Sequence, residues 1–290
     1  MTHPILVGAH MSIAKSMHLA FERGESIGCT AMQIFTKSSR MLFGKPLNQE
    51  EIDLFLSTAQ HSSIKNVVAH AGYLINLCAK NETTEQQSKN SLMHELERCA
   101  QLGIKNLVFH PGAHVGQGAE QGLKKILYNM EYILDHTPET TQLTIETMAG
   151  QGTTLASTFE QIQTLYRSCS QKKRLAVCLD TCHIFSAGYN LLSSKNYQLV
   201  IEHFDATIGL EHLAVIHIND SFGTFDSHID RHAPLGKGKI PLEIFEAIMQ
   251  DKRLSAIPKI LETPTDTSMK SWREEIILLK NFAHNKRSSL

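Results

Sequence analysis

The sequence predicts an α/β protein of the (β/α)8 barrel class, and three observations support this prediction. Short apolar runs alternate with segments of helical periodicity eight times. Such runs are typical of parallel strands that are covered on both faces and joined by right-handed helical crossovers. The chain has 290 residues, somewhat more than the ~250 that are usual for a closed barrel. No glycine-rich dinucleotide fingerprint follows the first run, which disfavours an open, doubly wound sheet.

The elements of this barrel are predicted in order along the chain. The eight strands are expected at residues 6–10, 31–35, 66–70, 106–110, 142–146, 175–180, 213–217 and 257–262. Apolar residues recur with the period of an amphipathic helix in the segments that follow them. These segments are 13–27, 49–60, 83–102, 120–136, 154–170, 196–209, 241–251 and 271–283. No change of composition marks a second domain, so one domain is expected over 1–290, with a short polar tail from about residue 284.

Composition argues against several classes of protein. With 28 basic and 29 acidic residues the net charge is -1, so any contact with nucleic acid must come from local basic clusters. The six cysteines form no CxxC pair, which argues against a zinc ribbon or a disulfide scaffold. No apolar run approaches the ~20 residues of a membrane span, and the first residues do not resemble a signal peptide. We therefore expect a cytoplasmic protein with no membrane association.

Seven of the eight predicted strands stop at a single histidine or carboxylate, whereas the strand at 31–35 leads into TKSSR. All strand ends of a barrel open onto one face, where active sites lie. One such residue would be an ordinary polar strand end, but seven that converge indicate a site. Carboxylates packed this closely repel one another unless cations neutralise them, so the pattern predicts bound metal. The seven residues are His10, His70, His110, Glu146, Asp180, His217 and Glu262.

The stretch CLDTCHIFSAGYN at 178–190 adds two further groups of metal-ligand type. Asp180, Cys182 and His183 lie within four positions of one another. Together they could hold one metal, they could serve different metals, or they could be ordinary loop residues. From the sequence pattern these alternatives stay open.

Further residues of metal-ligand type follow the seventh strand, in the run SHIDRH at 227–232. Its alternate residues His228, Asp230 and His232 would share one face if the run were extended. Solvation is the simpler explanation for a single exposed histidine, more so for His228 than for His232. Mixed imidazole and carboxylate ligands suit zinc, and also manganese or iron. Nine such groups could serve two or three ions, and multi-metal clusters hydrolyse phosphoesters.

The motifs resemble those of the endonuclease IV family, the trinuclear-zinc apurinic/apyrimidinic endonucleases of base excision repair. The resemblance runs from Gly8 to about Lys280 and implies a (β/α)8 TIM barrel. It also implies a zinc-dependent phosphodiesterase that cuts double-stranded DNA 5′ to an abasic site. The products would be a 3′-hydroxyl and a 5′-deoxyribose phosphate, and blocked 3′ ends would be cleaned as well. The motifs are GAHMS (8–12), HAGYLINL (70–77), HPGAH (110–114), IETMAGQG (145–152), DTCHIFSAGY (180–189), HINDS (217–221), DRHAPLGKGKI (230–240) and LETP (261–264).

The same resemblance implies three zinc ions, with manganese possible at some positions. The first zinc would be held by His70, His110 and Glu146, and Glu146 would bridge to the second. The second would also take Asp180, His217 and Glu262, and the third would take His183, Asp230 and His232. Under this assignment Asp180 and His183 serve different ions, while Cys182 and His228 serve none. Glu146 and Glu262 would be catalytic, with Glu262 helping to orient the nucleophile.

The resemblance further implies which residues meet DNA. Arg40, Tyr73 and Leu74 match the positions that penetrate the double helix, and Lys37 would face phosphates. His10 and His114 would lie behind the ligands or face a phosphate. Lys45, Arg231, Lys237 and Lys239 would supply further local positive charge. No obligate protein partner is expected, and the protein is expected to be a monomer.

Two other functions are compatible with a barrel of this kind. One is a sugar isomerase or epimerase on a related barrel, with two magnesium or manganese ions. Five histidines among nine ligands argue against it, because such sites depend on carboxylates and a catalytic lysine. The other is a barrel that binds metal or DNA without catalysis, which would not need a full ligand set.

Overall fold

Eight parallel strands close into a barrel in the computed structural model of the protein, which describes residues 5–284. The barrel strands are β1 Val7–Met11, β2 Ala31–Phe35, β3 Asn66–His70, β4 Asn106–Phe109, β5 Gln142–Glu146, β6 Leu175–Asp180, β7 Leu213–His217 and β10 Lys259–Leu261. They lie in the order β1-β10-β7-β6-β5-β4-β3-β2, and β1 pairs with both β2 and β10. The predicted fold class is therefore confirmed. A separate two-stranded sheet pairs β8 Asp220–Ser221 with β9 His232–Ala233.

Nine α-helices occur in residues 5–284: eight pack around the outside of the barrel, and α6 lies at its carboxyl end, directly after β6. They are α1 Leu19–Ser26, α2 Gln49–His61, α3 Glu82–Gln101, α4 Ala119–Asp135, α5 Phe159–Ser168, α6 Thr181–Ser186, α7 Ser194–Thr207, α8 Leu242–Gln250 and α9 Lys270–Ala283. Short 3-10 helices occur at Lys172–Arg174, Leu210–His212 and Lys252–Leu254. No helix of this described region is long and apolar enough to cross a membrane.

The strands lie close to their predicted positions, but two helices begin later than expected. The helix predicted from residue 13 begins at Leu19, because Lys15 has a left-handed backbone (φ 73°) and Arg23 donates to the carbonyls of Ser12 and Ala14. The helix predicted from residue 154 begins after Thr158, whose side chain caps it. Helix α6 was not predicted. The tail expected from about residue 284 lies outside the described residues.

The barrel interior consists of an apolar layer below a polar one. The apolar layer is a cluster of six fully buried side chains, Ala31, Val68, Val108, Cys178, Val215 and Ile260. Two positions further along a strand the side chain returns to the same face. Those positions are Gln33, His70, His110, Asp180, His217 and Glu262. The ligand-type residues therefore rest on an apolar floor at the carboxyl end of the barrel.

Strand β2 also contributes to the polar layer, which the sequence analysis did not anticipate. Its Gln33 is fully buried and pairs in register with His10 of β1. The apolar run of β2 ends at Phe35, whereas the residue in register with His10 comes two positions earlier. All eight barrel strands thus direct a polar side chain to the mouth.

Outside the mouth, Lys259 of β10 is a buried cation with little compensation. It is 3% exposed, and its ammonium donates to the carbonyl of Leu254. Burial lowers the pKa of Lys259 to about 8, and Asp251 offsets this effect only in part. The unfolded chain therefore holds this proton more tightly than the folded one, so its contribution makes stability rise as the pH increases from about 8 toward 10.5.

We predict that Lys259→Met raises the free energy of unfolding at pH 7 by about 1–3 kcal/mol, since each pKa unit corresponds to about 1.4 kcal/mol. The gain over the wild type should shrink as the pH approaches 10.5, and denaturant titrations at several pH values measure it. Lys280→Met is the matched control. The ammonium of Lys280 also donates to a carbonyl, that of Gly28, but it is only half-buried, so this variant should show no such gain. A Lys259→Met protein that is less stable at every pH contradicts this account.

Candidate metal centre

Glu146, the last residue of β5, lies fully buried at the centre of the mouth. Its Oε2 is 3.1 Å from His70 Nε2 and 3.0 Å from His110 Nε2. Its Oε1 is 2.9 Å from His217 Nδ1 on the other side. The two oxygens of one carboxylate thus face two different sets of ligand-type nitrogens. This is the arrangement that a bridging ligand requires.

Two further groups of ligand atoms adjoin this carboxylate. Around His217 Nδ1, Glu262 Oε2 lies at 3.2 Å and Asp180 Oδ2 at 3.7 Å. In the second group, Asp230 Oδ1 lies 3.1 Å from His183 Nε2 and 3.5 Å from His232 Nε2. The nine residues expected from the family resemblance thus lie in three groups, and two further groups in the described chain combine some of them with Cys178 or Cys182.

The distances and the chemistry of these groups fit metal ions. Ligands of one tetrahedral zinc, each at about 2.0–2.1 Å, lie about 3.3 Å from one another, close to the spacings found here. Within the described chain, the buried Nε2 atoms of His183 and His232 have no hydrogen-bond partner, although carboxylate oxygens lie 3.1–3.6 Å away. A cation between nitrogen and oxygen would satisfy both atoms.

Electrostatics keep the central carboxylates ionised. Burial alone would raise the pKa of Glu146, but His217 and His110 outweigh it and hold that pKa well below its usual range. The pKa of Glu262 is likewise held well below its usual range, because His217, His10 and His70 outweigh burial. Both carboxylates therefore carry a negative charge that can bind cations.

Backbone carbonyls fix the orientation of two of the imidazoles. His70 donates from Nδ1 to the carbonyl of Ala71 (2.7 Å), and His183 donates from Nδ1 to the carbonyl of Thr147 (2.7 Å). Each ring then presents Nε2 to the neighbouring carboxylates. A hydrogen bond of this kind fixes the tautomer of a metal-binding histidine.

The stretch 178–190 separates its two ligand types because of a helix cap. Asp180 is the N-cap of α6, and its Oδ1 accepts from the backbone N–H of His183 (2.9 Å). The helical turn that follows directs His183 Nε2 toward Asp230 Oδ1, while His183 Nδ1 stays 3.3 Å from Glu146 Oε1. Cys182 Sγ lies within 4.8 Å of ligand atoms of Asp180 and His232. Burial raises the pKa of this thiol to about 12.

In the run 227–232 the structure brings only two of three expected residues to the site. Asp230 and His232 belong to the group with His183. His228 has a left-handed backbone (φ 53°), and its Nδ1 lies 3.3 Å from the carbonyl of Ala149. The extended trio inferred from alternation was therefore wrong. The geometry agrees with the family resemblance, under which His228 binds no metal.

The sequence analysis missed three buried polar residues that hold the ligands. Asn219 donates to Asp180 Oδ2 (2.6 Å) and accepts from the backbone N–H of Glu262 (2.8 Å). The hydroxyl of Thr147 accepts from the backbone N–H of Asp180 (2.9 Å). Gln33 contacts both His217 and Glu262. Asn219 and Thr147 lie one or two positions after a ligand in the HINDS and IETMAGQG motifs, a signal that could have identified them.

Exposed apolar side chains stand beside the metal groups. Tyr73 is 63% exposed and Leu74 is 51% exposed, in the loop that follows β3. The Tyr73 ring centroid lies 6.2 Å from that of His70 and 6.4 Å from that of His110. Arg40 is exposed on the neighbouring loop after β2. A wedge of this kind is available to a partner that reaches the mouth.

Lys37 does not lie where a phosphate contact requires it. Its ammonium is buried, 2.9 Å from Glu95 Oε1 of α3, and it donates to the carbonyl of Met41 (2.7 Å). The expectation of an exposed Lys37 is therefore corrected, because this ion pair supports the loop of Arg40 from below. The same Glu95 oxygen accepts from the backbone N–H of Gly72 (3.1 Å), next to Tyr73.

The two histidines expected behind the ligands differ in position. His10 Nδ1 lies 3.3 Å from Glu262 Oε1, directly beside a ligand. His114 lies in the loop after β4, and its Nδ1 accepts from the backbone N–H of Gly118 (3.2 Å). The structure thus brings His10 next to the groups of ligand residues, whereas the His114 ring is hydrogen-bonded within its own loop.

The loop at 234–240, which loosely resembles a phosphate-binding loop, binds a carboxylate of the protein itself. The backbone N–H groups of Gly236, Gly238 and Ile240 donate to the buried Asp220, at 2.8–3.0 Å. This anchoring leaves Lys237 and Lys239 exposed beside the mouth. Their charges are free to meet an external anion.

Several known proteins are similar to this chain in sequence and in fold. A family model described as a xylose isomerase-like TIM barrel matches residues 21–282. A probable endonuclease 4 from Trichlorobacter lovleyi is 42% identical over 259 residues, 89% of this chain and 92% of that protein. Another from Chloroflexus aggregans is 41% identical over 95% of this chain and 96% of that protein. The crystal structure of endonuclease IV from Thermus thermophilus covers 97% of this chain and 100% of its own, with TM-score 0.85 and 32% identity.

Metal content distinguishes the ligand assignment from the alternative that includes the thiol. Glu146→Gln should lower the bound metal by at least one equivalent per chain, because it removes the carboxylate shared by two groups. Cys182→Ser is the control and should leave the metal content unchanged. Elemental analysis of the purified proteins measures both. Loss of a full equivalent in the Cys182 variant would reverse the choice of ligands.

Proposed function

Because the chain belongs to the endonuclease IV family, we propose that it is a DNA repair endonuclease that hydrolyses the phosphodiester 5′ to an abasic site. The reaction leaves a 3′-hydroxyl and a 5′-deoxyribose phosphate, and the same centre clears blocked 3′ ends. The observation that carries the proposal is the triple group of ligands around Glu146 beside the exposed Tyr73 and Leu74. The residues that would hydrolyse the phosphodiester and those that would recognise a gap in DNA thus lie at the same end of the barrel.

The proposed cofactors are three zinc ions, with manganese possible at some positions. The ligands would be His70, His110 and Glu146 for the first ion, and Glu146, Asp180, His217 and Glu262 for the second. His183, Asp230 and His232 would hold the third. When bound, zinc supplies an activated water near neutral pH and positive charge that stabilises a phosphoryl group during in-line displacement.

The protein contributes orientation of the ligand groups. Glu146 connects two ligand groups from a fully buried position, so neither group can shift without the other. Glu262, held by Gln33 and flanked by His10, has its carboxylate fixed at the rim of the pocket, where it can orient the attacking water. A constellation held in this way lowers the entropy that must be lost to reach the transition state.

DNA recognition is assigned to the loops after β2 and β3. Tyr73 and Leu74 would enter the gap that a missing base leaves, and extrusion costs least at a site without a base. Arg40, with Lys45, Arg231, Lys237 and Lys239, would contact phosphates, while Lys37 would position the Arg40 loop. This local basic surface is compatible with a net charge of -1.

Three secondary expectations belong to the same proposal. The protein would act on double-stranded DNA in the cytoplasm, as a monomer without an obligate protein partner. A sugar epimerase is the alternative suggested by the barrel. A D-tagatose 3-epimerase-like structure matches with TM-score 0.74 at 17% identity, which bears on the fold alone.

Incision of a defined duplex tests the proposed activity. The purified protein should cut a strand that carries one tetrahydrofuran abasic analogue on the 5′ side of that residue, as resolved by gel electrophoresis. A chelator should abolish cutting and added zinc should restore it. The same duplex with a normal base is the control and should stay intact. If the protein holds at least two metal ions per chain and still does not cut, the proposal fails.

A second test concerns the wedge. Leu74→Ala should weaken binding to the abasic duplex by about tenfold, equivalent to about 1.4 kcal/mol, with metal content unchanged. The exposed side chain fills the gap in DNA and contributes little to folding. Leu199→Ala on α7 is the matched control, since Leu199 is 56% exposed on the outside of the barrel. Equal affinities of the two variants for the abasic duplex would remove Leu74 from the interface.

A further inference from the structure

Gln33 is the fully buried amide in the middle of the ligand layer. It lies on β2, in register with His10 of β1 and Val68 of β3. Its Oε1 lies 2.8 Å from His217 Nε2, and its Nε2 lies 2.6 Å from Glu262 Oε1. The amide therefore connects two members of the group that also contains Asp180 and Glu146.

The chemistry of Glu262 determines which way this amide points. A carboxylate only accepts hydrogen bonds, so the end of Gln33 that faces Glu262 must be the NH2 group. The carbonyl oxygen of Gln33 then faces His217. Since a carbonyl oxygen only accepts, His217 carries a proton on Nε2, and Nδ1, which faces Glu146 and Glu262, is the nitrogen that would bind a metal ion.

His217 differs in this respect from the other oriented imidazoles. His70 and His183 each donate from Nδ1 to a backbone carbonyl and present Nε2. The ring of His217 points into the barrel, where the strand carbonyls are engaged in pairing with neighbouring strands. A side-chain acceptor has to replace the carbonyl there, and Gln33 is placed to do so.

We propose that Gln33 is the positioning residue that sets the tautomer of His217 and the orientation of Glu262 for the second metal ion. The inference rests on the proposed metal centre but not on any activity toward DNA. Partners of this kind typically change metal affinity by about 10–100-fold when they are lost. The loss should be confined to the ion held by His217 and Glu262, because Gln33 has no hydrogen bond with the ligands of the other groups.

Zinc retention without DNA tests this inference. Gln33→Met keeps the volume of the side chain and removes the hydrogen bonds to His217 and Glu262, together with the contact to His10 Nδ1 (3.0 Å). In competition with a chromophoric chelator, one of the bound zinc ions should be held about 10–100-fold more weakly than in the wild type, and the others should be unaffected. Gln33→Ala, which removes the same groups without filling the space, should show the same selective loss.

Thr144→Val is the matched control, because Thr144 is equally buried on the inner face of β5 and its hydroxyl donates to Asn106 Oδ1 rather than to a ligand. It should retain zinc as the wild type does. Circular dichroism of the metal-free proteins should show the same fold for all variants.

Unchanged zinc retention in folded Gln33→Met and Gln33→Ala proteins overturns the proposal. Weakening of all ions to the same degree, or an equal loss in Thr144→Val, also overturns it, since either result indicates general damage to the barrel. The outcome is separable from the proposed function: a wild type that binds zinc but does not cut abasic DNA refutes the activity and leaves the role of Gln33 intact.

Discussion

The fully buried carboxylate of Glu146 is the constraint on which the rest of this structure depends. Nitrogens of four imidazoles, those of His70, His110, His183 and His217, lie within 3.3 Å of its oxygens. Two further carboxylates, of Asp180 and Glu262, lie in the same group. A buried charge is costly unless it is paired or coordinates a metal, so a folded chain with this layer requires positive charge in the mouth. Bound cations would supply this charge, and the clustered ligand groups fit such binding.

The barrel accommodates this charged layer by placing apolar and polar side chains at different heights along its strands. The inner side chains change from apolar to polar over two positions, so the charged layer lies on a dry floor and opens only upward. A second set of buried polar groups then removes the freedom of the ligands. Backbone carbonyls hold the rings of His70 and His183, Asn219 holds Asp180, and Gln33 holds His217. The loops after β2 and β3, supported from below by Glu95, set the exposed wedge beside this rigid layer.

Much of this arrangement could be predicted from the sequence, because strand ends are local signals. Apolar runs located the eight strands, and the residues at their ends included six of the nine ligands. Other features depended on information that local patterns lack. Gln33 was not predicted as a member of the site, because register in the barrel, rather than the end of an apolar run, decides which residue points inward. Alternation alone grouped His228 with Asp230 and His232, but a left-handed backbone at His228 breaks that alternation. The ion pair of Lys37 could not be predicted, because its partner Glu95 is distant in sequence. The family resemblance supplied the grouping of ligands into three sets, which spacing alone left open.

The central claim is that Glu146 bridges two metal ions in a three-metal cluster. Anomalous X-ray diffraction at the zinc absorption edge, on crystals of the zinc-loaded protein, tests it most directly. The account predicts three anomalous peaks per chain, with two of them on opposite sides of Glu146, each about 2.0–2.2 Å from one of its oxygens. The third peak should lie among His183, Asp230 and His232. A single peak, or peaks that leave Glu146 uncoordinated, would contradict the account.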